Sequence, residues 1–264
     1  MTTLPPELAG AIAAAGTRLG RLGRRFEYFP TIGSTNDVAS ERSASGDHEG
    51  VVFIADAQTS GRGRRGRAWF SPPGAGLYVS TVLAPARSRD RERATLLTTL
   101  AAGVALVEGV RAATGLAPAV KWPNDLYVGR RKLAGILAEG AGDAVVLGYG
   151  INLLPAAYPP VLAERVTALE SELGRAVDRG SVFAETLCAL ARRYDDLLEG
   201  RFDAILDAWR ALAPSAQGTR VSWNASTAGG PQSGVTAGID DRGALLVRTG
   251  DRIERIVAGE LSWE

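Results

Sequence analysis

Between Gly61 and Arg67 the chain reads GRGRRGR, three glycines among four arginines with no apolar side chain. Such a segment has nothing to bury, so it cannot pack as a strand or helix face and is expected to be a flexible loop. Apolar runs of strand length stand on both sides of it, VVFIADAQ at 51–58 and GLYVSTVLA at 76–84. The fold therefore needs a sheet with a cationic loop joining two of its strands. Guanidinium groups bind carboxylate or phosphate oxygens in pairs, and glycines let backbone N–H groups approach the same ligand. A solvated basic linker, or a segment touching RNA without sequence preference, would use the same residues.

A second window, C-terminal to the loop, narrows the choice. The chain has 30 Lys+Arg, of which only two are lysines, Lys121 and Lys132, both inside KWPNDLYVGRRK. Where arginine is the general choice, a remaining lysine points to a need for a compact ammonium that reaches one oxygen in a tight pocket; chance clustering is the alternative. Residues 120–122 read as a short strand stopped by Pro123, Asn124-Asp125 is turn chemistry, and Lys132 opens the strand-like run KLAGILAEG. Simple alternation puts Lys132, Ala134 and Ile136 on one face and Leu133, Gly135 and Leu137 on the other. An ammonium among such small and aliphatic neighbours has to reach water or meet an anion.

Four ordered motifs, GRGRRGRAWFSPPGAGLYVS at 61–80, KWPNDLYV at 121–128, RKLAGILAE at 131–139 and GYGINL at 148–153, together with Ser34-Thr35-Asn36, resemble the biotin protein ligases. The resemblance is strong over residues 25–155 and weaker through GIDDRGALLV at 238–247. It implies an ATP-dependent enzyme that makes biotinyl-5′-adenylate and pyrophosphate, then passes biotin to a lysine of a carboxyl carrier protein. It also implies site residues. Ser34, Thr35, Asn36, Gln58, Arg62, Gly63, Arg64 and Lys132 are expected on biotin, with the segment at 34–36 on the ureido head. Arg67, Trp69, Lys121, Asn124, Asp125 and Asn152 are expected on ATP. Lys132 is the group expected to bridge the biotin carboxylate and the α-phosphate, and Arg64 the one that closes the loop over the adenylate. Mg²⁺ is expected with the triphosphate, and Asp125 is its nearest carboxylate candidate, turn formation being the plainer role. The physical need is legible in the residues themselves: a carboxylate attacking a phosphate joins two anions, and Arg62, Arg64, Arg67, Lys121 and Lys132 are the available cations.

The rest of the chain reads mainly as scaffold. Residues 6–23 look like an Ala-rich helix and 26–30 a short strand; Gly33-Ser34-Thr35-Asn36 is a turn into a helix with Ser34 or Thr35 as N-cap. Leu96, Leu100, Val104, Val107 and Val110 mark one face of a helix over 91–113. The run VVLGYGINL at 145–153 is a strand whose Gly148 and Gly150 would admit a ligand or another backbone. Helices are expected over 181–198, with Phe183, Leu187, Leu190, Tyr194 and Leu197 in one stripe, and over 202–212, with Ile205, Leu206, Trp209 and Leu212. After residue 214 short alternating runs take over, suggesting a small barrel. The expectation is an α+β catalytic domain over 1–214, a mixed sheet with helices packed on one side in the class II synthetase manner, and a small SH3-like β-barrel over 215–264.

A net charge of +1 gives no global pull towards nucleic acid or anionic membrane. One cysteine, Cys188, excludes an intrachain disulfide framework, and the single His48 excludes a histidine zinc cage; His48 lies in a polar turn with no nucleophile elbow for a triad. Asn224-Ala225-Ser226 matches a glycosylation sequon without meaning for a cytoplasmic chain. No leader-like N-terminus and no run of about 18 apolar residues is present, so a cytoplasmic location without membrane contact is expected. Only about 25 residues precede the resembling region, too few for the winged helix of repressor-type relatives, so no DNA binding is expected. Monomer and homodimer both stay open. A lipoate or octanoate ligase would share fold and reaction but has no ureido head for residues 34–36 and Gln58 to meet. An RNA-binding module would leave KWPND and the two lysines without purpose.

Overall fold

The runs flanking the arginine-glycine loop become β2 (Val51–Ala55) and β3 (Gly76–Leu83), antiparallel neighbours near the middle of a seven-stranded sheet. The computed structural model describes residues 3–44, 46, 49–224, 231–259 and 261–263. His48 and the sequon serine fall outside them. The remaining strands are β1 (Arg25–Phe29), β4 (Ala119–Lys121), β5 (Asp125–Val128), β6 (Arg131–Ala141) and β7 (Ala144–Asn152). Their order is β1-β2-β3-β7-β6-β5-β4, with β1–β2 parallel and every other pair antiparallel, hence a mixed sheet.

Alternation along the central strands gives the sheet two chemically different faces. Val52, Ile54, Val79, Leu147, Tyr149, Ile151, Ala134 and Ile136 belong to the main core. That face is covered by α1 (Pro6–Ala15), and above all by α3 (Arg91–Thr114) packed on α5 (Arg179–Leu198), with α6 (Phe202–Leu212) beside α3. On the opposite face lies a single short helix, α2 (Thr35–Ser43), whose Ala39 packs with Val51, Phe53, Val82 and Val146. The helices are thus on one side except for α2, and that exception starts the site.

Two local expectations need correction. The N-terminal helix stops at Ala15 and continues as 3₁₀ turns over Gly16–Gly23, because Gly16 and Gly20 take positive φ of 53° and 50°. In α3 the buried stripe runs through Leu97, Leu100, Val104, Val107 and Val110, whereas Leu96 is 46% exposed. Steps of three and four starting from Leu97, not Leu96, face the sheet and α5. This helix is long and apolar enough to cross a membrane, but two thirds of its most apolar window is buried within the fold, as in a core helix.

The chain then passes α4 (Leu169–Leu173) and ends in five antiparallel strands where the small barrel was expected: β8 (Gln217–Asn224), β9 (Pro231–Ile239), β10 (Leu245–Thr249), β11 (Arg252–Ile256) and β12 (Leu261–Trp263), ordered β11-β10-β9-β8-β12. Val221, Leu245 and Val247 of this second sheet join the main core, and the Trp122 indole N–H donates to Gly243 O at 3.0 Å.

Candidate active site

The face that carries only α2 is floored by small residues, and this is where the motifs converge. Ser34 takes the N-cap position of α2 in extended conformation but makes no side-chain cap bond. The next residues form a closed polar array. Thr35 donates to Gln58 Oε1 from its backbone N–H at 2.9 Å and its hydroxyl at 3.1 Å, while Gln58 Nε2 donates to Ser71 Oγ at 2.9 Å. Ser80, central on β3, sits under them with its Oγ 2.8 Å from Thr35 Oγ1 and 2.6 Å from Asn36 Oδ1. Asn36 Nδ2 donates on to Glu139 Oε2 of β6 at 2.8 Å. Ser34, Thr35, Asn36 and Ser80 are all buried, so this end of the site is lined by neutral side chains held in place before any ligand arrives, with the Glu139 carboxylate beyond Asn36.

Gly148 and Gly150 do admit something, but it is protein. A Cβ at Gly148 would meet Asn36 Oδ1 at 1.9 Å, and one at Gly150 would meet Trp69 Nε1 at 2.4 Å. A Cβ at Gly135, the register partner of Gly150 on β6, would meet another atom of the same indole, Cζ3, at 3.0 Å. The glycine row thus lets Asn36 and Trp69 lie flat on the sheet. Trp69 keeps a buried indole N–H with no hydrogen-bond partner among the described residues.

The arginine-glycine segment, expected without regular structure, closes as a hairpin. Gly63 N–H donates to Arg67 O at 2.6 Å and Trp69 N–H to Gly61 O at 2.8 Å, around a 3₁₀ turn at Arg64–Gly66 in which Arg65 takes a positive φ of 57°. Backbone groups do here what apolar side chains cannot. Arg62 bridges Glu139 at 2.5 Å and Asp37 at 3.0 Å, and Arg64 Nη1 donates to Asn124 Oδ1 at 3.0 Å. Asn124 is itself fixed to β6, donating to Ile136 O at 2.7 Å and accepting from Ile136 N–H at 2.8 Å.

Lys132 corrects the simple alternation. Register shifts between Leu126 and Tyr127, so that Leu126 pairs with Ala134 but Tyr127 with Lys132, leaving Leu133 as an extra residue. A bulge reverses the face of everything before it. Leu133 and Ala134 are both fully buried, and Lys132 joins Gly135 rather than Ala134 and Ile136. Its Nζ lies 2.7 Å from Asp125 Oδ1 and 5.4 Å from the centre of the Trp69 ring. Lys121 has a different setting, 4.4 Å above the Tyr127 ring and 5.1 Å from that of Trp263. Burial pushes its pKa down, helped by Lys132 and Arg130 and opposed by Asp125. Burial also raises the Tyr127 hydroxyl to about 12, with Asp125 adding to it.

All fourteen residues named from the sequence line one cavity of about 1000 Å³. Asn152 does so with its amide committed, Nδ2 donating to Thr167 O at 2.9 Å. The sequence reading missed Ser80 and Glu139, which support the cavity from below, and Ser71, Tyr127 and Trp263, which line it. It also missed the segment around Tyr158 to Val166, which closes one side of the cavity and pairs with Lys132 through Lys132 N–H to Arg165 O at 2.8 Å. Ser71, Ser80, Tyr127 and Glu139 stood inside the named motifs without being singled out; Trp263 and the segment around Tyr158 carry no local signal, since only tertiary contact makes them relevant.

Comparisons with known proteins identify the family. The Biotin/lipoate A/B protein ligase family matches residues 28–153, and the Biotin protein ligase C terminal domain matches residues 224–262. The bifunctional ligase/repressor BirA of Bacillus subtilis is 32% identical over 264 residues, spanning 97% of this chain and 79% of that protein. The biotin--[acetyl-CoA-carboxylase] ligase of Mycobacterium tuberculosis is 34% identical over 243 residues, spanning 90% and 88%. Among solved structures, biotin protein ligase from Aquifex aeolicus in complex with biotin and ATP superimposes with a TM-score of 0.78 at 27% identity, covering 91% of this chain and 99% of that one. With both sheets, the ordered motifs and these relatives in accord, the chain belongs to the biotin protein ligase family.

Proposed function

We propose that this chain activates biotin with ATP and transfers the biotinyl group to a lysine of a carboxyl carrier domain, with residues 1–214 as the catalytic unit and 215–264 as a smaller C-terminal unit. The observation that carries the assignment of roles is that both lysines of the chain face one cavity whose other end is a neutral, hydrogen-bonded array around Thr35 and Gln58. The uncharged end suits an uncharged ureido group, which needs fixed donors and acceptors. The cationic end suits the meeting of carboxylate and α-phosphate.

In the first step a biotin carboxylate oxygen attacks the α-phosphorus, the bond from that phosphorus to the α,β-bridging oxygen breaks, and pyrophosphate leaves. Lys132 leaves Asp125 for the carboxylate and the α-phosphoryl oxygens, offsetting the charge that gathers as the two anions meet. Lys121 and Arg67 neutralise the phosphates, and Arg64 closes the hairpin over the mixed anhydride, keeping water from it. In the second step the carrier amine attacks the acyl carbon, AMP leaves, and the amine gives up its proton. Mg²⁺ travels with the triphosphate in this reading. Among the described residues no three His, Cys, Asp or Glu side chains converge as a metal cage, which suits an ion carried mainly by phosphates, with Asp125 as one carboxylate able to contact it. The reading places the reaction in the cytoplasm and assigns it no DNA.

Incubation of the protein with ATP and either biotin or lipoate tests the assignment. Pyrophosphate is expected with biotin and not with lipoate. The reverse pattern would assign the chain to the lipoate branch.

A further inference from the structure

The second sheet is joined to the KWPND segment by two tryptophans that point in opposite directions. Trp122, directly after Lys121, reaches out to Gly243 O of the C-terminal sheet at 3.0 Å. Trp263, on the edge strand β12 and paired with Val221 of β8, reaches back, its ring 5.1 Å from Lys121 Nζ. Tyr127 supplies another ring at 4.4 Å. Gly259, Leu261 and Trp263 all line the same cavity as the motifs.

The two lysines are held by different physics. Lys132 is neutralised by Asp125 at 2.7 Å, a contact it has to exchange for substrate. Among the described residues Lys121 has neither an ion-pair nor a hydrogen-bond partner; aromatic faces hold it instead. A ring attracts an ammonium through its quadrupole without carrying a net charge, so the full positive charge and the N–H donors stay available. Burial disfavours that charge, which is consistent with a group kept ready for an incoming anion.

From this geometry we infer that Trp263 is a positioning residue for Lys121: with Tyr127 it aims the ammonium at the polyphosphate of ATP. The inference deepens the proposed function and rests on it for the identity of the anion.

Two lysines in the whole chain make the test direct, because full-length protein carrying ¹³C at the lysine ε-carbons gives two signals, assigned with Lys121→Arg. Trp263→Leu keeps apolar bulk and removes the ring; Trp263→Phe keeps a smaller ring. Without substrate, the Leu variant is expected to move the Lys121 signal and leave that of Lys132 in place. Titrated with ATP, it is expected to bind about tenfold more weakly, with biotin affinity within about twofold of wild type, and Phe should restore most of the ATP affinity. Three results would overturn the inference: an unmoved Lys121 signal, equal losses for Leu and Phe, or a biotin affinity that falls as far as that for ATP. Should the Leu variant not fold, the Phe variant carries the same test through a smaller displacement of the Lys121 signal alone. Failure of the broader reading looks different: wild type would release no pyrophosphate from biotin and ATP, while the Lys121 signal would still report on Trp263.

Discussion

The two ends of the cavity are built on opposite principles. At the Thr35 and Gln58 end, neutral groups hold one another in place: the acceptor of Gln58 takes two bonds from Thr35 and its amide gives one to Ser71. At the Lys132 end, charges are held by partners that a ligand can replace, Asp125 for Lys132 and Asn124 for Arg64. A neutral group can be rigidly prearranged because nothing about its charge changes during reaction. Lys132 is held compensated by Asp125, since an unpaired buried charge is costly, whereas aromatic faces hold Lys121. Rigidity at one end and exchange at the other result from that difference.

The largest effect should come from the exchanging end. Lys132→Ala is expected to lower the rate of pyrophosphate release by about 10²-fold or more while biotin binding, read by calorimetry, changes far less. A near-normal rate would remove Lys132 from the chemistry and break the contrast. The rigid end should answer in affinity and stability instead. Gly148→Ala puts a Cβ 1.9 Å from Asn36 Oδ1, so the array has to shift; a loss of ~1–3 kcal/mol in stability and about tenfold or more in biotin affinity is expected. If calorimetry finds biotin affinity unchanged, the array is not the binding end.

Glu139→Gln should be milder, because its pair with Arg62 is part-exposed, with side-chain exposures of 40% for Arg62 and 32% for Glu139. A change of at most about threefold in adenylate retention is expected, shrinking further as salt is raised. A loss as large as that of Lys132→Ala would mean that the hairpin depends on this latch. Smallest is a pH effect at Lys121. Its folded pKa is lowered from 10.5, so below that folded pKa the burial penalty is present in full. Between the two values the unfolded chain binds the additional proton, and the stability owed to this group rises with pH. Denaturant melts taken up to pH 10.5 should therefore show stability gaining slightly less with rising pH for Lys121→Met than for wild type.

Much of the site is legible in the sequence alone. The glycine and arginine spacing at 61–67 and the two lysines point to an anion site, and the family resemblance carried by the ordered motifs names the fourteen residues that line the cavity. The helix stripes of α5 and α6 are equally plain, as Phe183, Leu187, Tyr194, Ile205 and Trp209 are all buried. The features that escape are non-local. The bulge at Leu133 depends on the register of β5 against β6, so period-two counting puts Lys132 on the wrong face. Ser80 reads as one polar residue in a buried strand, and only the arrival of α2 on that face makes it a hydrogen-bond partner. The hairpin of the arginine-glycine loop rests on backbone bonds that composition does not display.

Both lysines of the chain lie inside the cavity, and this has a consequence for the outer surface. An acyl-adenylate that escapes reacts with ε-amines, whereas guanidinium groups stay protonated and are poor acceptors. Elsewhere this protein presents its positive side chains as arginine alone. The molecule can carry its cationic charge into contact with its own reactive product and offer no lysine outside the cavity on which to label itself.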